Sequence, residues 1–299
     1  MAKIGLQKNL KNEGIGSMVF DFTNNIVIFL FCLTIIIPFW YLFVQSVDNL
    51  ASPSGSIYLW PQQFTLENYK MVIRNKYIGI AYLNTIFRTV AGTTLSLFFT
   101  SMGAYAISKK RFPNRVFWSI FIIVTMFFSG GLIPTYLWIS KLKLINSRAV
   151  LIIPGIIGAY NLVLIRNFFS QIPGELEESA RLDGSGDFNT FIKIILPVSK
   201  PILATIALWL AVGHWNSWFD CMIYIRDTKK IVLQVVLQRI IIQGTTKEII
   251  EGSEQMLFDA KPEMIKAACI YVATLPILCT YPFLQKYFVK GIYVGSLKG

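Results

Sequence analysis

Apolar residues run along this chain in long blocks separated by short polar links. A helix needs about 20 apolar residues to cross the hydrocarbon core of a bilayer. Six blocks qualify, at 26–47, 84–108, 116–139, 149–169, 202–223 and 265–288. They predict an all-α polytopic membrane protein with six transmembrane helices. Gly92, Thr93, Thr94, Ser101 and Gly103 interrupt the second block, and Ser129-Gly130-Gly131 and Pro134 the third. The fourth also carries Gly and Pro. Such residues favour close helix packing and kinks over smooth lipid-facing cylinders.

One long polar stretch, 173–197, separates the fourth and fifth blocks. Pro173 and Gly174 break the preceding helix. Glu175, Glu177 and Glu178 then crowd a first helical turn, where carboxylates suit the positive end of the helix dipole. Leu176, Ala180 and Leu182 are small or apolar, and Asp183-Gly184 closes the helix. A second short amphipathic piece, 188–196, ends at Pro197. A polar helix–Gly–helix hairpin between two spans has no place in lipid. It sits at a membrane surface and offers a docking face.

The residues of this hairpin resemble a family signature. Glu178-Ser179-Ala180, then three residues, Gly184, nine residues, and Ile194-x-Leu196-Pro197 match the cytoplasmic "EAA" loop of permease subunits in binding-protein-dependent ABC importers. Ser179 stands where the pattern has Ala, a small-for-small change. The resemblance implies a type I ABC importer permease fold. It implies that Glu178, Ser179, Ala180, Arg181, Asp183, Gly184, Ile194, Leu196 and Pro197 form the coupling helix and its support, seated on an ATP-hydrolysing subunit. Pro61-x-x-Phe64-Thr65-x-x-Asn68-Tyr69, together with 133–137 and 144–146 behind Ser129-Gly130-Gly131, is similar to the carbohydrate branch, near importers of oligosaccharides and polysaccharide fragments. Read from the residues alone, Thr65 is an N-cap with Asn68 at the third position. The tail from Phe288-Val289-Lys290-Gly291 to Lys298-Gly299 resembles the family's ending, which reaches the ATPase interface in relatives; without the resemblance it reads equally as a frayed basic terminus.

Composition agrees with a membrane protein. The chain has 299 residues, 54% of them hydrophobic and 15% charged, with a mean hydropathy of +0.55. That is too apolar for a soluble domain. The net charge of +12 is spread over links between apolar blocks, which suits loops beside a bilayer and argues against nucleic acid. Cys32, Cys221, Cys269 and Cys279 fall in or beside apolar blocks without metal-ligand spacing, so they read as packing residues. The first residues lack a cleavable signal pattern.

Lys109, Lys110, Arg111 and Arg115 crowd the short link between the second and third blocks, which places it in the cytoplasm. Six spans then put both termini and the 173–197 hairpin on the same side. The expected layout is a cytoplasmic segment 1–25, a permease domain 26–288 and a cytoplasmic tail 289–299, in a bacterial cytoplasmic membrane. Lys229, Lys230 and Arg239 nearly balance the basic count on the other side, but they lie in a long segment, which weighs less. Within that segment, 230–243 is too densely apolar for a solvated helix. It lies on the membrane surface or packs on the outer ends of the spans. The stretch 244–261 reads as a polar loop.

No phosphate-binding G-x-x-x-x-G-K-[ST] loop and no G-x-S-x-G elbow occurs, and His214 is the single histidine. The chain is therefore expected to be no enzyme and to hold no metal or cofactor, with ATP and magnesium bound by a partner. Intramembrane polar residues carry the remaining interest. His214-Trp215-Asn216-Ser217-Trp218-Phe219-Asp220 gathers imidazole, amide, carboxylate and two indoles in the fifth block. His214, Ser217 and Cys221 share one helical face and Asn216 and Asp220 another. Aromatic faces and amides suit a sugar, so His214, Trp215, Asn216, Asp220 and Arg88 are candidate lining of a translocation path. The alternative is interhelical hydrogen bonding beside an interfacial aromatic belt, which Trp218 fits best. Arg88 lies about one turn inside the outer end of its span. A charge in the bilayer centre costs roughly 2.5–3.5 kcal/mol, so it needs a partner or water. Asp220 lies at similar depth and is the expected partner; snorkelling to the surface is the other way out.

The resemblance implies a second, different permease chain, two ATP-binding cassette subunits and an extracytoplasmic solute-binding protein. Two competing classes stand beside it. One is an ion-gradient-driven transporter or channel using Arg88, His214 and Asp220 as a proton relay. The other is a membrane scaffold with no substrate.

Overall fold

The computed structural model describes residues 15–48, 59–243 and 263–279. Among them the chain is helical and forms no strand; an isolated bridge joins Asp48 to Phe64. Helix α1 (Ile15–Ser46) is apolar all round, and its membrane-length stretch buries nothing against the rest of the chain. Its last turn is held by α2 (Glu67–Arg74). There Asn68 donates to the carbonyls of Ser46 and Asp48, and Ser46 Oγ meets Tyr69 Oη at 2.7 Å. Asn68 is thus a tether between helices. The N-cap position falls to Leu66, one residue later than expected, and Thr65 Oγ1 accepts from Glu67 N at 3.2 Å.

Helix α3 (Lys76–Ser108) is the axis of the molecule. Asn75 caps it, its side chain accepting from the backbone of Tyr77 and Ile78. The small residues in α3 do not bend it, because neighbouring side chains occupy the space they leave. At Gly92 an added Cβ would lie 2.6 Å from the His214 ring, and at Gly103 it would lie 3.3 Å from Leu162. Close approach through small residues is how helices associate where lipid removes the hydrophobic drive.

The third block does bend. Helices α4 (Arg115–Phe127) and α5 (Leu132–Lys141) meet at 115° across Gly130-Gly131, with Gly131 at φ +82°. The fourth block starts in two 3₁₀ turns, Arg148–Leu151 and Ile153–Gly155, and turns by 49° into α6 (Ala159–Phe169). Then come α7 (Glu175–Leu182) and α8 (Asp187–Thr190). A π turn (Phe191–Ile195) leads into α9 (Leu196–Val198), so Pro197 lies inside the final turn rather than ending the piece. An 85° bend leads into α10 (Lys200–Asn216), which packs with α6 against α3.

The fifth block is not one helix as expected. It stops at Asn216, takes an extended turn at Ser217 and restarts as α11 (Phe219–Tyr224). The faces assigned across that break therefore do not exist. Helix α12 (Leu233–Gln243) follows a 3₁₀ turn at Thr228–Lys230. Ile231, Leu233, Val235, Val236, Leu237 and Ile240 are all buried, so this stretch packs on the helix ends opposite the 173–197 hairpin. A last helix, α13 (263–279), joins the same cluster through Ile265, Ala268, Cys269 and Ala273. A second cluster lies at the other end of α3, around Tyr105, Ile165, Phe169, Phe191, Ile195 and Ile206.

Among the described residues, two helices are each long and apolar enough to cross a membrane, and three bent pairs pass that test together. The stretches 244–262 and 280–299, which hold the polar loop, the end of the sixth block and the tail, lie outside the described residues.

Candidate functional site

The 173–197 hairpin is built as its sequence suggests. Glu175, Glu177 and Glu178 occupy the first turn of α7. Its end closes with a Schellman pair: Ser185 N donates to Ala180 O at 2.8 Å and Gly184 N to Arg181 O at 2.9 Å. That motif requires a left-handed residue, and Gly184 sits at φ +81°. Ala180 is buried beneath the helix, whereas Glu178, Ser179, Arg181, Leu182 and Asp183 face outward. Leu182 is 90% exposed at the tip of an otherwise polar element. On the return limb, Phe191 and Ile195 are buried against Tyr105 and Phe169, Ile194 and Leu196 are half-buried, and Pro197 is exposed.

Charges fasten this hairpin to the link after α3. Lys109 pairs with Glu177, and Arg111 pairs with Asp187. Arg181 approaches the same Asp187 carboxylate at 3.5 Å. The Lys109 ammonium also stands 4.2 Å from the centre of the Tyr105 ring. Burial pushes Lys109 down to about 8, with Arg111 and Arg181 adding to the effect and Asp187 opposing it. The basic link after α3 thus holds the hairpin.

Near the other end of α3, Arg88 and Asp220 meet. Arg88 Nη1 donates to Asp220 Oδ1 at 3.1 Å, and Nη2 bonds Oδ2, giving the two-pronged geometry of a strong carboxylate contact. The same Nη1 donates to the Ser217 carbonyl at 3.1 Å. Asp220 also accepts from Ser217 Oγ and from Cys221 N. Arg88 therefore holds the carbonyl that the helix break frees, which explains why the break falls at Ser217. Arg88 is only 4% exposed and Asp220 29%.

The other candidates sit around this pair. The His214 ring is seated on Gly92. Trp215 is buried, donates to Ala273 O at 3.2 Å and meets Tyr82 edge-on. Asn216 is exposed at the end of α10. Sequence reading missed a set of long-range stitches above them. Asn84 donates to the carbonyls of Lys229 and Ile231 and accepts from Arg148 Nε. Thr85 Oγ1 accepts from Leu233 N at 2.8 Å. A polar amide at the edge of an apolar block was the available signal.

The family described as "Binding-protein-dependent transport system inner membrane component" matches residues 4–292. Protein LplC of Bacillus subtilis (strain 168) is 40% identical over 301 residues, covering 100% of both chains. The polygalacturonan/rhamnogalacturonan transport system permease protein YtcP of the same organism is 38% identical, covering 97% of this chain and 100% of that one. A crystal structure of a bacterial ABC transporter involved in the import of the acidic polysaccharide alginate contains a chain 34% identical to this one, with a TM-score of 0.88, covering 93% of this chain and 99% of that one. The chain is therefore a member of the binding-protein-dependent transport system inner membrane components, with the fold of a type I ABC importer permease.

Proposed function

We propose that this chain is the permease subunit of an ATP-driven importer for an oligosaccharide. It spans the bacterial cytoplasmic membrane six times with both termini inside, its segments falling at 1–25, 26–288 and 289–299. It pairs with a second, different permease chain to form the path. Two ATP-binding cassette subunits, which hold ATP and magnesium, sit below, and an extracytoplasmic solute-binding protein delivers the sugar above. The substrates of its relatives support the carbohydrate: polygalacturonan and rhamnogalacturonan, arabinooligosaccharides, and trehalose and maltose.

The observation that carries the reading is the hairpin. It turns Glu178, Ser179, Arg181, Leu182 and Asp183 outward, and its inner residues reach the body of the molecule through Phe191 and the Lys109–Glu177 pair. A cleft on an ATPase subunit that takes this element is thereby linked to α3, α6 and α10. Closure of the ATPase pair moves the hairpin, and the spans rock between inward- and outward-facing states.

The test is copurification followed by function. Mild-detergent isolation of the intact complex is expected to recover an ATPase subunit and a second permease, with ATP-dependent oligosaccharide uptake in proteoliposomes. Gly184→Pro removes the N–H that bonds Arg181 and forbids φ +81°. The variant is expected to reach the membrane, yet lose the link between ATP hydrolysis and uptake. Normal uptake in that variant, or recovery of the chain alone, overturns the reading.

A further inference from the structure

On the outer side of the molecule, two turns bring cations together without matching carboxylates. Residues 141–151 carry Lys141, Lys143 and Arg148, and residues 225–232 carry Arg226, Lys229 and Lys230; Asp227 is the one carboxylate in either stretch. Asn146 stitches the two turns together. Its N–H donates to Tyr224 O at 2.8 Å, its Oδ1 accepts from the backbone of Arg226 and Asp227, and its carbonyl accepts from Lys230 Nζ. Asp227 is spent locally: it caps the 3₁₀ turn through Lys229 N and faces Lys230 at 3.5 Å. The Lys229 N–H, with Lys230, holds its carboxyl below the usual range. Lys141, Lys143, Arg148, Arg226 and Lys229 remain exposed.

Two features mark this patch as built for a ligand. The first is backbone strain. Helix α5 ends in the same Schellman pair as α7, with Leu144 N donating to Ile139 O and Lys143 N to Ser140 O. The left-handed position that Gly184 fills in α7 is filled here by Lys143, at φ +55°. Glycine fits that position better, and a side chain kept there against its backbone preference points to a use. The second feature is Arg148. Its Nε is pinned by Asn84 Oδ1 at 3.0 Å. Its two terminal nitrogens make no hydrogen bond among the described residues and present a fork suited to a carboxylate. Trp138, 63% exposed, lies one helical turn before Lys141 on α5 and supplies a flat apolar face. Cations in so short an outer link also run against the usual bias of membrane proteins.

Resting on the proposed function, we infer that these turns form a cationic collar that selects oligosaccharides bearing uronate carboxylates. The indole stacks on a sugar ring, Arg148 takes a carboxylate in its fork, and Lys141, Lys143 and Arg226 attract the remaining charge. Arg88, one helical turn below Asn84, is neutralised by Asp220 and does not compete.

The test uses the intact importer complex in nanodiscs of phosphatidylcholine alone, which removes anionic headgroups as competitors. The probes are a fluorescent galacturonic acid trimer and its methyl ester, which keeps the sugar and removes the charge. At low salt the free acid is expected to bind about tenfold more tightly than the ester, and added salt is expected to erase the difference. Lys143→Gly is expected to lose part of that preference while raising the melting temperature, a combination a merely structural lysine does not produce. The triple variant Lys141→Gln, Lys143→Gln, Arg226→Gln is expected to lose the preference and still capture the loaded binding protein. Equal binding of acid and ester by the wild type overturns the inference, as does wild-type preference in the triple variant. Weakened capture of the binding protein overturns it too, by making the patch a protein-docking surface. ATP-driven uptake of a neutral oligosaccharide by the same complex separates the two levels: if it persists without any acid preference, the collar fails and the importer stands.

Discussion

Helix α3 carries charge at both ends, and the two ends treat it differently. At the hairpin end, Lys109, Arg111 and Arg181 are matched by Glu177 and Asp187 across the gap between two elements. At the opposite end, Arg88 and Asp220 form a pair sunk among the helices, and above them Lys141, Lys143, Arg148 and Arg226 make no ion pair among the described residues. The first arrangement holds the hairpin to the body through one largely shielded pair, Lys109–Glu177, and two exposed contacts on Asp187. The second fixes a helix break where water is scarce. Partly exposed pairs contribute little, whereas a buried pair is costly to halve.

The largest expected effect comes from halving the buried pair. Asp220→Ala strands the Arg88 guanidinium with the Ser217 carbonyl as its remaining partner among the described residues. Arg88→Ala leaves Asp220 its bonds from Ser217 Oγ and Cys221 N. Asp220→Ala is therefore expected to be the worse of the two, at about 3 kcal/mol, the low end for a buried pair because Asp220 keeps some exposure. The double variant is expected to recover part of the loss. Thermal melts of the detergent-solubilised protein measure all three. Strictly additive losses would dissolve the contrast between the two ends of α3.

The pairing of Arg88 with Asp220 was legible in the sequence, since two opposite charges at equal depth in apolar blocks have few other ways to avoid lipid. The break at Ser217 was not, because it depends on that pair: local spacing continues a helix through 217, and Arg88, 129 positions earlier, takes the carbonyl instead. The hairpin was legible for the opposite reason. Its Glu-rich first turn and Gly184 are local signals, and local geometry obeyed them. Gly92 and Gly103 pointed correctly to close packing but not to a kink, because a side chain arriving from another helix fills the space each leaves. The bonds of Asn84 and Asn146 went unread on the same ground, their partners lying 64 to 147 positions away.

The two Schellman turns give the next test, of smaller size and opposite signs. Gly184→Ala puts a Cβ in the left-handed region and is expected to cost about 1 kcal/mol. Lys143→Gly relieves the same strain and is expected to add a similar amount. Melting curves on matched preparations compare them. Equal and opposite shifts identify backbone strain as the shared term; loss of stability in Lys143→Gly would mean that the lysine side chain holds the outer turn together.

The smallest effect is a titration at the hairpin end. Burial and two guanidinium groups push Lys109 down, while Asp187 pulls the other way. A value of about 8 against an ordinary 10.5 means the folded state releases this proton first. Below about pH 8 the lysine is charged in both folded and unfolded chains, and the cost of its burial is carried in full. As pH climbs from 8 towards 10.5 the folded state sheds that cost, so the docked hairpin grows more stable across this window and levels off above it. Competitive acylation followed by mass spectrometry reads the group directly, with Lys110 on the same link as reference. Lys109 is expected to gain reactivity with a midpoint near 8. A midpoint at or above 10.5 would show that the Glu177 contact outweighs burial, and the hairpin would then be held by a full ion pair rather than by a lysine close to neutral.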